Sequence, residues 1–226
     1  MKRYAVIVAG GTGSRFGSAI PKQFLPMAGL PVLMHTINHF AECGAKILLV
    51  LPSVQQEYWR ELCKEYAFEV EHEVVSGGDS RFASVKNALA AIDAAEGDVV
   101  AVHDGVRPLV PKSVIDDAFA RAAKNGSAVP VVKVSDSIRH INPDGTSCAM
   151  RRDELVAVQT PQAFDAVALK KTYCVEFSSS FTDDASVYES AGYKICLIDG
   201  DVNNIKITHP NDIVIAENLL KYGKTR

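Results

Sequence analysis

The sequence has no cysteine pair of the C-x-x-C kind. Its five cysteines, at positions 43, 63, 148, 174 and 196, are odd in number and widely scattered. That spacing argues against a zinc ribbon or a thioredoxin-type redox site and leaves buried or idle thiols in a reducing compartment. No stretch approaches the ~18 apolar residues that a transmembrane helix needs. The start, MKRYAVIVAGG, has a basic head like a secretory leader, but its apolar run is only about seven residues long and enters a glycine loop. It reads as a buried strand, and the chain as cytoplasmic. An excess of one charge is missing too: 24 Lys and Arg stand against 27 Asp and Glu. This balance disfavours broad nucleic-acid or membrane binding and leaves room only for a local basic pocket. Internal repeats, low-complexity tracts and flexible linkers are also lacking.

What is present is a chain of 226 residues, long enough to bury a core without disulfides or structural metal. Short apolar runs alternate with longer amphipathic segments. The expected strands are Tyr4–Ala9, Lys46–Leu51, Phe68–Val74, Val99–His103, Ala128–Val134, Tyr193–Ile198 and Asn204–Thr208. The expected helices are Val32–Cys43, Val54–Tyr66, Arg81–Ala95, Lys112–Lys124, Ala166–Glu176, Ala185–Ser190 and Asn211–Tyr222. Runs such as ILLVL and VVAV are apolar throughout, as strands are when both sheet faces are covered. The alternation predicts an α/β fold, one domain over residues 1–226 with a mostly parallel sheet. One polar segment, Lys133–Val158, breaks the rhythm. Its NPDG, Asn142–Gly145, is a strong turn signal, so the segment is expected to form a protruding β-hairpin arm.

Directly behind the first apolar run, VAGGTGSRFGSAIPKQF (Val8–Phe24) packs four glycines, an arginine and a lysine. A Walker loop is excluded, because no lysine follows Gly17 directly. A dinucleotide fingerprint needs G-x-G-x-x-G, and the glycines at 11, 13 and 17 are spaced one residue too far. The remaining type is a loop laid across a triphosphate, where bare backbone lets amide N–H groups approach the oxygens. Arg15 would reach the phosphates as a planar fork and Lys22 as a compact charge. A tight strand-to-helix turn with two solvated cations has the same composition, so other segments must decide.

HDGVRP, His103–Pro108, puts Asp104 and Arg107 directly after an apolar strand, where open α/β sheets bind ligands. Asp104 is a candidate for binding or orienting a metal and Arg107 for holding an anion; an internal Asp–Arg pair is the alternative. His103 has no second histidine nearby in sequence and reads as packed or hydrogen-bonded. SGGDSRFASV, Ser76–Val85, is a second glycine loop before a helix, with Arg81 and Ser84 in the first turns and Asp79 or Ser80 as cap. TDDASVYE, from Thr182, has the look of a capped helix start. Lys206 stands within an apolar strand, a charge that needs a phosphate, a carboxylate or exposure at an edge.

In order along the chain, AGGTGSRFG, PKQF, GGDSR, HDGVRP, AVQTPQAF, TDDAS and NIKIT make it resemble the 2-C-methyl-D-erythritol 4-phosphate cytidylyltransferases over nearly its whole length. The resemblance implies a Rossmann-like nucleotidyltransferase domain, CTP and a polyol phosphate as substrates, Mg2+ as cofactor, and a homodimer made through the arm at residues 133–158. By motif, Arg15 and Lys22 match cations that stabilise the triphosphate transition state. Ala9, Gly10, Gly11, Thr12, Gly13 and Ser14, with Gly78, Asp79 and Ser84, would hold CTP. Asp104 matches an acid near magnesium, nucleotide and substrate. Arg107, Ser137 and Thr182 fall at substrate-side positions, Ser137 standing where threonine is common. Arg152 and Lys206 match residues that position methylerythritol phosphate. The valine of HDGVRP and the GTGSR form of the first loop are also similar to ribitol-5-phosphate cytidylyltransferases, whereas AVQTPQAF and TDDAS favour the first family. Two other classes stand beside them: a nucleotide-binding regulator without turnover, and a nicotinamide-dependent oxidoreductase, against which the glycine spacing argues.

Overall fold

A computed structural model of the chain describes residues 1–11 and 20–222. In chain order the first half forms β1 (Arg3–Val8), β2 (Pro26–Met27), β3 (Leu30–Pro31), α1 (Val32–Glu42), β4 (Lys46–Leu51), α2 (Ser53–Glu65), β5 (Glu73–Ser76), α3 (Arg81–Ala91) and β6 (Val99–Asp104). The second half forms α4 (Lys112–Asn125), β7 (Ser127–Lys133), β8 (Arg139–Ile141), β9 (Ser147–Ala149), β10 (Val156–Val158), β11 (Gln162–Asp165), α5 (Ala166–Thr172), α6 (Asp184–Ser190), β12 (Leu197–Asp199) and α7 (Pro210–Tyr222).

An eight-stranded sheet runs β10-β7-β11-β6-β1-β4-β5, with β12 also paired to β7. The centre is parallel: β1 pairs with β4 and β6, and β4 with β5. Side chains alternate across it as the pleat requires. Ala5 and Ile7 join one core with Leu49, Phe40 and Phe119, while Tyr4 and Val6 join the other with Val50, Val85 and Phe164. Both faces are therefore dry, and the apolar runs of the parallel strands follow from that. Each fully buried aliphatic side chain contributes roughly 1.5–3 kcal/mol.

Three expected strands differ from those observed, and one strand of the central sheet, besides the two-residue pair β2–β3, was missed. Pairing of β5 with β4 begins only at Glu73. The preceding residues instead wrap Trp59, whose indole N–H donates to His72 Nε2 at 2.9 Å while Phe68 packs against the ring. Before Leu197 the chain is held mainly by a side chain: Ser127 Oγ donates to the Lys194 carbonyl and accepts from the Cys196 amide, and one backbone bond runs from the Val129 amide to the Cys196 carbonyl. Residues 204–208 form no strand. Lys206 escapes the cost of burial through exposure and a carboxylate, its side chain being 47% exposed and 3.1 Å from Asp104. The missed strand is β11, antiparallel between β6 and β7, only four residues long and of mixed composition.

The arm has the expected turn. β8 and β9 pair antiparallel around Asn142–Gly145, with Gly145 at φ +82°. Asn142 Nδ2 donates to Thr146 Oγ1 at 2.8 Å. Every residue of β8 and β9 is exposed, and apolar side chains at Ile141, Met150, Val156 and Val158 face outward.

Candidate active site

The carboxyl ends of β1 and β6 open on a cleft of ≈ 320 Å3. Its walls gather segments that are far apart in the chain. They are Ala9, Gly10 and Gly11 after β1, Lys22 and Gln23 of PKQF, Gly78 to Arg81 with Ser84, Asp104 with Val106, and Lys206. Thr12, Gly13, Ser14 and Arg15 lie outside the described residues.

Short-range bonds fix each wall. Gln23 is buried and its amide donates to the Ala9 carbonyl and to Gln55 Oε1, each at 2.8 Å. This staples PKQF to the start of the glycine loop. Lys22 Nζ donates to the Ile207 carbonyl at 2.8 Å, so PKQF also touches the NIKIT segment. In the second loop Ser80, not Asp79, caps α3, accepting from the Ala83 amide. Ser84 Oγ accepts from the Gly78 amide at 3.1 Å.

Gly78 lies against the helix it precedes. A Cβ there would come within 2.6 Å of Ala83 Cβ, whereas a Cβ at Gly11 would meet nothing within 4 Å among the described residues. Overpacking of this kind costs about 1–3 kcal/mol. Gly78→Ala is therefore expected to lower the melting temperature by about 2–12 °C for a chain of this size, and Gly11→Ala to leave it unchanged. Differential scanning fluorimetry on both variants checks this, and equal melting temperatures would refute the close approach.

Asp104 is the buried charge of the cleft. Its carboxylate lies 3.1 Å from Lys206 Nζ and 3.2 Å from Arg107 Nε. Burial alone would raise its pKa; Lys206, Arg81 and Arg107 together outweigh that and hold it well below the ordinary carboxylate range. Asp104 is thus ionised at any physiological pH. Arg107 turns inward, its Nη1 donating to the Asn204 carbonyl at 2.7 Å, so the Asp–Arg pair exists and Arg107 backs the cleft without lining it. Next to it His103 is fully buried, and burial pulls its pKa down to about 3. A neutral, enclosed imidazole is no general base for a ligand in the cleft.

Among the described residues, Arg81 is the charged lining residue that the sequence does not single out for the site. Its guanidinium grips Asp184 bidentately, at 2.9 and 2.5 Å, and Tyr173 donates to the same carboxylate at 2.6 Å. The signal was available: GGDSR supplies the cation and TDDAS the acid. A capping box between Asp183 and Ser186 starts α6 there. Thr182, just before it, is exposed.

Arg152 and Ser137 are not at the cleft of their own chain. Both are exposed on the arm segment. The Arg152 guanidinium donates to the Ser135 carbonyl and borders a separate hollow with Lys133, Val134 and Leu155.

Among the described residues no group of three or more His, Cys, Asp and Glu is arranged to hold a metal ion. Asp104, the one largely buried carboxylate of the cleft lining, the other, Asp79, being exposed, suits an ion that arrives on a nucleotide and not a resident one. No helix among the described residues is long and apolar enough to cross a membrane.

Two glycine loops, converging cations and one buried acid make a site for a polyanion. Residues 4–222 match the family model described as "IspD: 2-C-methyl-D-erythritol 4-phosphate cytidylyltransferase". Proteins of that name from Bacteroides fragilis and Porphyromonas gingivalis are 48% and 49% identical to this chain. The alignments cover 97% of it in each case, and 100% and 98% of those proteins. The crystal structure of the Thermus thermophilus 2-C-methyl-D-erythritol 4-phosphate cytidylyltransferase superposes with a TM-score of 0.78 at 29% identity, covering 98% of this chain and all of that one. A 4-diphosphocytidyl-2C-methyl-D-erythritol synthase from Anaerococcus prevotii gives 0.80 at 26% identity, covering 97% and 98%. Sequence, fold and the motifs around the cleft agree over the full length, and the chain belongs to the 2-C-methyl-D-erythritol 4-phosphate cytidylyltransferase (IspD) family.

Proposed function

We propose that the chain joins CTP and 2-C-methyl-D-erythritol 4-phosphate, releasing pyrophosphate and 4-diphosphocytidyl-2-C-methyl-D-erythritol in isoprenoid precursor synthesis. A phosphate oxygen of the polyol phosphate attacks the α-phosphorus of CTP, and the bond from that phosphorus to the β-phosphate oxygen breaks. A phosphate monoester has its second pKa near ~6 and is largely dianionic at neutral pH, so no protein base is needed. The difficulty is bringing an anion to a polyanion. The observation that carries the reading is the convergence of Lys22, Lys206 and Arg81 with both glycine loops on one cleft.

Lys22, with Arg15, neutralises the triphosphate oxygens as charge shifts to the leaving group. The loop from Ala9 to Ser14, with Gly78, Asp79 and Ser84, holds the nucleotide. Lys206 and Arg152 align the incoming phosphate, Thr182 serves the substrate side, as does Ser137 from the arm, and Arg107 serves it from behind by holding the Asp104 carboxylate. Fixing such groups before reaction is what makes them effective. Asp104 is the residue that would meet magnesium, which when bound adds positive charge at the phosphate oxygens. The arm pairs two chains into a homodimer, and the enzyme works in the cytoplasm.

The deciding experiment is pyrophosphate release with CTP against a panel of polyol phosphates. Methylerythritol phosphate is expected to be the best acceptor, and preference for ribitol 5-phosphate would move the chain to the related activity. Turnover is expected to vanish after exhaustive chelation and to return on adding magnesium alone. Full activity in excess chelator would refute the metal's part.

A further inference from the structure

Behind the cleft, hydrogen bonds close a ring through three separated segments. His103 Nε2 lies 3.1 Å from the Arg107 carbonyl, and its Nδ1 lies 3.0 Å from Thr160 Oγ1. The same hydroxyl oxygen accepts from the Asp104 amide at 3.1 Å. The Thr160 carbonyl accepts from Asn204 Nδ2 at 2.9 Å, and the Asn204 carbonyl accepts from Arg107 Nη1 at 2.7 Å. Arg107 Nε returns to the Asp104 carboxylate. The end of β6, the turn before β11 and the NIKIT segment are thus tied to one another, and of the residues in the ring only Asp104 also lines the cleft.

The bonding pattern assigns the hydrogens. A carbonyl only accepts, so Nε2 must carry the imidazole hydrogen. The Thr160 oxygen accepts from the Asp104 amide and has its own hydrogen left to give to Nδ1. His103 therefore spans the loop from Asp104 to Arg107 like a brace: one nitrogen holds the Arg107 carbonyl and the other, through Thr160, the Asp104 amide. Phe40 packs against the ring at 4.9 Å between centroids and fixes its plane. His103 and Thr160 are fully buried and 6% exposed, so neither touches a ligand from where it lies.

The geometry points to His103 and Thr160 as positioning residues for the nucleotidyl transfer, which set the orientation of the Asp104 carboxylate and, through it, of Lys206 in the cleft. This rests on the reaction proposed above. A misplacement of about 1 Å at a reacting group can cost on the order of 10^2 in rate, whereas a part in folding alone would lower stability and leave kcat per folded molecule intact.

The sharpest test is the pair Thr160→Val and Thr160→Ser, with His103→Phe and His103→Gln beside it. Thr160→Val keeps the shape and removes the hydroxyl. It is expected to lower kcat by about 10–100-fold in protein shown to be folded, with the KM for CTP changed less than about three-fold. Thr160→Ser, which restores the hydroxyl, recovers most of that loss. His103→Gln retains a donor for the Arg107 carbonyl and should outperform His103→Phe. A folded Thr160→Val with kcat within about two-fold of the parent overturns the assignment, as does equal loss in the serine variant. The parental chain is assayed first, and its failure to release pyrophosphate would sink the proposed reaction instead. Nitrogen resonances of the His103 ring and the Asp104 amide decide on the brace in either case. They should shift together in Thr160→Val, and unmoved resonances would count against it.

Discussion

Lys22→Ala is expected to leave a folded protein whose turnover is lower by about 10^2–10^3-fold, the usual loss when one preorganised contact to developing charge is removed. The lysine is presented at the cleft by Pro21 and a single 3-10 turn, Lys22–Phe24. The neighbouring Gln23 and Phe24 carry the packing, at 1% and 3% exposure. Deleting the ammonium removes one donor from the Ile207 carbonyl, a loss of about 0.5–1.5 kcal/mol for a typical hydrogen bond. The structural cost is therefore small against the electrostatic one. Circular dichroism and the rate of pyrophosphate release, measured on the same preparation, separate the two. Near-normal turnover in the folded variant would take Lys22 out of the mechanism.

Mixing Arg152→Ala with Lys22→Ala, each inactive alone, is expected to restore activity once subunits exchange. Within one chain Arg152 borders a hollow made by the arm's own base, and Lys22 lines the cleft. If each site takes Lys22 from one chain and Arg152 from the other, a heterodimer has one doubly defective site and one intact site. Random pairing in an equal mixture then makes about one quarter of all sites intact under two-fold symmetry. The apolar side chains that the arm turns outward, Ile141 at 74% exposure among them, would supply a surface for such pairing. Persistent inactivity with exchange demonstrated, for instance by native mass spectrometry, would place Arg152 in its own subunit's service and end the shared-site idea.

The parallel half of the sheet was legible in the sequence because its strands are buried on both faces. Lys46–Leu51 has the expected bounds, and β1, β6 and β7 start or end within one residue of theirs. The cleft was legible for a related reason: glycine loops and isolated charges at strand ends have few structural excuses. What stayed hidden depends on long-range partners. Gln162–Asp165 becomes a central strand only because β6 and β7 present ladders on either side. Residues 204–208 look like a strand, but their backbone goes to Val106 and their charge to Asp104. From sequence Arg81 has only a place in the first turn of a helix, since its orientation is set by Asp184, 103 positions further along the chain. Propensity cannot see such partners.

The two lysines of the cleft are both anchored in the protein itself, Lys22 on the Ile207 carbonyl and Lys206 on the Asp104 carboxylate. A free lysine side chain has about 2 kcal/mol of rotamer entropy. Here much of that disorder is surrendered when the chain folds, before any nucleotide arrives. An incoming phosphate then trades one oxygen acceptor for another, and ordering of side chains contributes little to the association. The binding of CTP should accordingly carry a smaller entropic penalty than the same contacts made by two freely rotating lysines.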